Sequence, residues 1–89
     1  MCVLPFLQRI SFTNPYSARK RFLLRTNRPD LLRFREEALD VGAGAAEDIC
    51  LLFLPVASAA TAAVDVLVFV NDEDEKTEEA FCVRVRYVL

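Results

Sequence analysis

The side chains able to do chemistry in this 89-residue chain are three cysteines, a basic cluster, an acidic run and one tyrosine beside a turn. Cys2, Cys50 and Cys82 stand 48 and 32 residues apart, which matches no CxxC spacing for zinc or redox work. Cys50 and Cys82 lie in apolar runs, where a free cysteine behaves as a small buried hydrophobe. Their alternative is a Cys50–Cys82 bridge between the sheets of a β-sandwich. An odd cysteine count without a secretory signal points to a reducing compartment. The chain has no histidine, so the commonest general base, the commonest nitrogen ligand and every Ser-His or Cys-His dyad are missing. No metal, cofactor or catalytic residue is expected.

Asp72, Glu73, Asp74 and Glu75 have the carboxylate density of a calcium loop but neither the central glycine nor the spaced oxygen ligands of an EF-hand. At an exposed hairpin tip nothing would desolvate them and separate their pKa values for acid–base work. Arg19, Lys20, Arg21 and Arg25 offer a positive face for an acidic protein or an anionic lipid head group; the plainer reading is a charged strand face that discourages edge aggregation. Both clusters are carried forward as candidate partner-binding residues. Tyr16, after Asn14-Pro15, is expected as a corner anchor with its ring buried and its hydroxyl on backbone.

These clusters divide the chain by charge. Eight cations against Asp30 alone give +7 over Met1 to Arg35; twelve carboxylates against Lys76 give −11 over Glu36 to Val83; Arg84 and Arg86 bring the net charge to −2. Such halves suit docking by field complementarity, or they neutralise each other across neighbouring strands. Nucleic-acid binding is disfavoured, because the carboxylates offset the cations within one small domain and no recognition motif accompanies them. The longest uncharged run, Ile49 to Val64, has sixteen residues broken by Pro55, short of the ~20 that span a bilayer. Met1 to Leu7 lacks the basic start and the length of a signal peptide. Its Arg-rich continuation has some transit-peptide character but reads better as strands.

The elements that would position these residues are mostly strands. Gln8 to Thr13 alternates, with Ile10 and Phe12 on one side, until Asn14-Pro15 ends it. Arg19 to Thr26 sets Phe22 and Leu24 opposite Arg21, Leu23 and Arg25, and Asn27-Arg28-Pro29 stops it. Asp30 to Val41 is ambiguous. Leu31, Phe34 and Ala38 fall at helical spacing with Asp30 and Gly42 as caps, whereas the competing reading has strands at Leu31 to Arg35 and Ala38 to Val41. Val41 to Gly44 is the expected tight turn. Asp48 to Leu54 reads as a central strand covered on both faces, or with one face on a partner. Val56 to Ala63 is a small-residue connection. Val64 to Val70 is the most secure strand, and Phe81 to Val88 resumes alternation with Phe81, Val83, Val85 and Tyr87 inward, so Asn71 to Glu79 becomes a long acidic hairpin loop. Six or seven strands without a βαβ rhythm give a small all-β sandwich.

Three segments carry a resemblance: ISFTNPY from Ile10 to Tyr16, TNRPDLLRFRE from Thr26 to Glu36, and VNDEDEKTEEAFCV from Val70 to Val83. Together they resemble the nephrocystin-4 family, in one of the immunoglobulin-like domains of its C-terminal half, related to major sperm protein and ASH-type modules. The ending Phe53-Leu54-Pro55 is similar to a strand end of those modules. The resemblance spans Arg9 to Tyr87. It departs from the family in the alanine-rich Val56 to Ala63, where a more polar segment is expected, and in the loosened glycine turn at Val41 to Ala45.

What the resemblance implies is an all-β immunoglobulin-like sandwich of about seven strands over residues 1–89, one domain of a longer multidomain protein, and it favours two strands over a helix at Leu31 to Val41. Asn14, Pro15, Tyr16, Pro29, Leu32, Phe34, Phe53, Pro55 and Phe81 are its motif and structural positions. It implies a non-catalytic scaffold at the ciliary transition zone and basal body, with nephrocystin-1 and the retinitis pigmentosa GTPase regulator-interacting family as partners. The alternative is an adaptor, like the membrane-contact members of the major sperm protein superfamily, that grips acidic aromatic peptides or anionic lipid head groups through Arg19, Lys20, Arg21 and Arg25.

Overall fold

The computed structural model describes residues 6–54 and 62–87. These residues form seven strands: β1 (Phe6–Thr13), β2 (Lys20–Thr26), β3 (Leu32–Phe34), β4 (Ala38–Val41), β5 (Ala46–Phe53), β6 (Ala62–Asn71) and β7 (Thr77–Tyr87). One sheet has the order β1-β5-β3 and the other β4-β2-β6-β7, with every neighbouring pair antiparallel. The described residues contain no helix, so the sandwich expectation is met. Cys2, Pro55, the Val56–Ala63 connection up to Thr61, and Val88 lie outside the described residues.

Period-2 alternation builds the core. In β2, Phe22 and Leu24 are buried while Arg21 and Arg25 face water. In β6, Val66, Val68 and Val70 are buried on the same face. From the opposite sheet Phe12, Ile49, Leu51 and Phe53 close against them. Each such buried side chain contributes roughly 1.5–3 kcal/mol relative to exposure. Phe12 and Phe22 meet edge to face across the two sheets, ring centres 4.8 Å apart.

The ambiguous segment resolves as strands because its apolar residues serve two different sheets. Leu32 to Phe34 pair with β5, whereas Ala38 to Val41 pair with β2, so the chain crosses the sandwich at Arg35–Glu37. Backbone bonds from Arg35 N–H to Cys50 O (3.1 Å) and from Leu24 N–H to Glu37 O (2.8 Å) fix that crossing to both sheets. A continuous helix would satisfy neither. Leu32 is buried, while Phe34 is half-buried and packs on the core from its edge.

Three further expectations are corrected. β5 is central in its sheet but covered on one face only: Ile49, Leu51 and Phe53 are buried and Cys50 and Leu52 half-exposed. The hairpin loop shrinks to residues 72–76, because β7 already begins at Thr77, with Glu79 paired to Val70 in the ladder and Glu78 at the bulge beside it; an edge strand tolerates such charges. Cys82 points outward from β7 and is exposed, and Cys50 sits half-buried in the other sheet; both are free thiols. The packing that would bury Cys82 is supplied instead by its neighbours Phe81 and Val83.

Candidate functional site

The β1–β2 and β4–β5 turns meet at one pole of the sandwich through Asn14. Its side chain is buried, and its amide nitrogen donates to the carbonyls of Ala18 (2.9 Å), Val41 (3.0 Å) and Gly42 (3.2 Å). Its amide oxygen accepts from Tyr16 N–H at 2.9 Å, an Asx turn, and its backbone N–H donates to Ala45 O at 2.9 Å. Pro15 lies exposed in the turn that follows. The glycine turn is closed by Ala45 N–H to Gly42 O at 3.0 Å, with Gly44 at φ +66°, a left-handed conformation that favours glycine.

Tyr16 departs from the corner anchor expected of it. Its ring remains 37% exposed, and its hydroxyl donates to Glu78 Oε1 at 2.6 Å rather than to backbone. The Lys20 ammonium lies over the ring, 4.0 Å from its centre. The hydrogen bond to the Glu78 carboxylate raises the Tyr16 pKa above its ordinary value, assisted by partial desolvation and by the nearby charges of Glu78 and Asp72.

At the same pole stands the β6–β7 tip. Asp72 shapes it: one carboxylate oxygen accepts the N–H groups of Asp74 and Lys76, both at 2.9 Å, and the Asp72 backbone bonds Lys76 O (2.8 Å) and Glu75 N–H (3.0 Å). Glu75 takes the left-handed conformation at φ 61° that closes the turn. Its carboxylate accepts from Asn71 Nδ2 (2.9 Å) and pairs with Arg25 (2.6 Å). The Asn71 bond first, and the Arg25 guanidinium second, hold the Glu75 carboxyl below its ordinary pKa. Thr77 donates to the other side of Asn71 at 2.9 Å. Asn71 is thus buried with both ends of its amide engaged.

The two candidate charge clusters come together here. Arg19, Lys20 and Arg21 on one wall and Asp72, Glu73 and Asp74 on the other, with Asp40 of β4, line an open concavity of about 610 Å³. Arg25 and Glu75 join as an ion pair beside it, both side chains about half exposed. Asp40 was not singled out by the sequence, although its alternation with buried Leu39 and Val41 faces it outward, opposite Arg21 in the ladder. Asn71 and Glu78 were likewise missed as contacts: Asn71 reads as part of a solvated loop although it bonds Glu75 and Thr77 within its own hairpin, and the partner of Glu78, Tyr16, lies in a distant turn. Pro29 is exposed in the turn before β3, where Leu31 and Leu32 N–H both reach Arg28 O at 3.1 Å. Leu32, Phe53 and half-buried Phe81 belong to the core and its rim, away from the concavity.

This arrangement can hold a partner of mixed charge by complementary fields. None of its lining charges is buried: Arg19, Lys20, Arg21, Asp40, Glu73 and Asp74 are exposed and Asp72 is half-buried. No helix among the described residues is long and apolar enough to cross a membrane.

Comparison with known proteins agrees with the fold and adds the lineage. The chain is similar at 7% identity to the solved structure of SSP-19, an MSP-domain protein like family member in Caenorhabditis elegans; the TM-score is 0.61, covering 97% of this chain and 89% of that one. At that identity the likeness speaks for the fold alone. It is 45% identical over 80 residues to nephrocystin-4 of Homo sapiens and 46% identical over 80 residues to nephrocystin-4 of Xenopus laevis, in each case 90% of this chain and 6% of the relative. The chain therefore spans a small fraction of the relatives it matches. The family model described as NPH4 Ig-like domain 4 matches residues 6–88, so the chain belongs to the nephrocystin-4 family as an immunoglobulin-like domain of that type.

Proposed function

We propose that the domain is a non-catalytic protein–protein interaction module of a nephrocystin-4-like scaffold working at the ciliary transition zone and basal body. In this reading residues 1–89 are one domain of a longer multidomain protein. Its partners are other ciliary scaffold proteins, nephrocystin-1 and the retinitis pigmentosa GTPase regulator-interacting family among them. The observation that carries the reading is the meeting of the two charge clusters across one open concavity. Walls of opposite sign orient a partner and set its register more than they add raw affinity. The adaptor alternative needs an uncompensated basic face. Here Arg25 is paired with Glu75, and Arg19, Lys20 and Arg21 face carboxylates.

The test is a titration of this chain with purified nephrocystin-1, comparing Lys20→Glu/Arg21→Glu with Arg33→Glu, a charge reversal on the other sheet. The concavity variant should weaken binding at least about tenfold, ~1.4 kcal/mol, and become less salt-sensitive. Equal affinity for both variants overturns the assignment of the face. Binding to anionic vesicles instead, lost in the concavity variant, transfers the site to the adaptor reading. In ciliated cells an antibody to the domain should give a compact signal just distal to a basal-body marker; diffuse cytosolic staining refutes the placement.

A further inference from the structure

From the β1–β2 turn we infer that Ser17 is a phosphorylation site, the acceptor for a serine/threonine kinase that reads basic residues after its target, and that the phosphate weakens docking at the charged concavity. This rests on the concavity being the docking face and adds the regulation of that face.

A protein kinase needs an acceptor hydroxyl that is exposed and carried on backbone it can draw into its own cleft. The described residues hold five candidates: Ser11, Thr13, Ser17, Thr26 and Thr77. Four of them sit in strands with ladder partners, Ser11 opposite Asp48, Thr13 opposite Ala46, Thr26 opposite Val68 and Thr77 opposite Asn71. Two of those hydroxyls are also engaged: Thr26 Oγ1 accepts from Arg28 N–H at 3.1 Å, and Thr77 Oγ1 donates to Asn71 at 2.9 Å. Ser17 differs on each count. It lies in the bend between β1 and β2, is exposed, and its hydroxyl makes no hydrogen bond among the described residues. The bend is tethered on either side of it, where the Asn14 side chain accepts from Tyr16 N–H and donates to Ala18 O, both at 2.9 Å. Releasing those two contacts frees residues 15–19 without breaking a ladder pair.

The charge around Ser17 is one-sided. Arg19, Lys20 and Arg21 follow it, while Asn14, Pro15 and Tyr16 before it are uncharged. Kinases discriminate among substrates by such charge patterns. In the transfer, Ser17 Oγ attacks the γ-phosphorus of ATP; the new O–P bond forms as the bond to the ADP oxygen breaks, and the hydroxyl proton passes to the base of the kinase.

The phosphate would then stand beside the basic wall of the concavity. Lys20 is held close by, its ammonium over the ring of Tyr16, the residue preceding Ser17. Arg19 and Arg21 form no ion pair among the described residues and are open to charge-assisted hydrogen bonds with the new oxygens. A phosphoserine carries about −1.5 to −2 at pH 7, so it cancels half or more of the charge of these three cations. Asp72, Glu73 and Asp74 on the facing wall are unchanged. The contrast in sign that orients a partner is thereby reduced.

The test incubates the 89-residue chain with ATP and the catalytic domain of a protein kinase C, an enzyme of that preference, and locates the phosphate by mass spectrometry. Labelling at Ser17 is expected, abolished in Ser17→Ala and at least about tenfold slower in Arg19→Gln/Lys20→Gln. Circular dichroism shows whether each variant is folded. In titration with nephrocystin-1 the phosphorylated chain should bind at least about threefold more weakly than the parent. It should be less affected than Lys20→Glu/Arg21→Glu, because the phosphate changes the charge by about two and the double reversal by about four. No label on the folded chain, label at the parent's level in Ser17→Ala, or a rate indifferent to the basic flank overturns the site. A phosphorylated chain that binds like the parent overturns the regulation. In that event Lys20→Glu/Arg21→Glu separates the two readings: weakened binding leaves the docking face standing, and unchanged binding removes it as well.

Discussion

Replacing Asn14 by alanine should destabilise this domain more than any other polar substitution at the charged pole. The two amide hydrogens are shared among three carbonyls and the amide oxygen accepts one bond, linking the β1–β2 turn to Val41 and Gly42, 27 and 28 residues away. A hydrogen bond is worth about 1 kcal/mol net, and a buried group left unsatisfied costs about 1–3 kcal/mol. The Val41 bond is buried and the other three are partly reached by water, so the loss should be about 3 kcal/mol. For a chain of this size, with total stability of about 4–13 kcal/mol, that is a quarter or more of the whole. The midpoint of thermal unfolding should fall by roughly 12–24 °C. Urea unfolding followed by circular dichroism measures the difference directly. Asn27→Ala is the comparison: Asn27 is exposed and accepts from Leu67 N–H at 2.8 Å, and its loss should be under about 1 kcal/mol. Asn14→Asp adds a sign test. The new oxygen would face three carbonyls, favouring the neutral acid, so its folded pKa rises above the unfolded value of about 3.9. Stability relative to the parent should then be best below about pH 4 and fall as pH rises through the raised folded value. A loss under ~1 kcal/mol for alanine, or a pH-independent deficit for aspartate, refutes the argument.

Two other predictions follow from the same pole. Gly44→Ala should cost about 1 kcal/mol from backbone conformation alone, since nothing lies within 4 Å of the added carbon. Gly42→Ala, with negative φ and ordinary 3.7 Å contacts, should change urea stability by less than about 0.5 kcal/mol; equal effects would contradict the assigned turn. In a Tyr87→Phe background, ultraviolet titration of Tyr16 should show a pKa above the usual tyrosine value, returning toward it in Glu78→Gln. Because the folded value is raised, this contact supports the fold below the unfolded tyrosine pKa of about 10 and is lost as pH rises through the folded one. An unchanged titration in Glu78→Gln would exclude Glu78 as the cause.

Much of the sandwich was legible because alternation is a local property. Phe22 and Leu24 against Arg21 and Arg25, or the four valines of β6, announce a face without reference to anything distant. The segment from Asp30 to Val41 was not legible in that way. Leu31, Phe34 and Ala38 match a helical stripe, and only the crossing between sheets separates Leu32 from Leu39, so family resemblance had to decide what periodicity left open. The acidic loop was drawn too long because charge was read as loop, whereas Glu78 and Glu79 follow the strand once Phe81 and Val83 fix its face. The clusters Arg19–Arg21 and Asp72–Asp74 were visible as charges, but their apposition is a property of the closed sandwich. Asn14 could be read as the end of a strand; that it holds a carbonyl 27 residues away could not.

The bond from Tyr16 to Glu78 also fixes which way the chain enters and leaves. It places the end of β1 beside the start of β7, so Phe6 and Tyr87 lie at the opposite pole. With about 3.3 Å per residue, β1 alone sets its far end roughly 25 Å from that turn. In any longer chain that carries this domain, incoming and outgoing polypeptide would share one doorway and the charged concavity would hang outward, as a pendant rather than a bead on a string. A fluorescent protein fused at either terminus should therefore leave the concavity open, while the same insertion between Glu73 and Asp74 should close it.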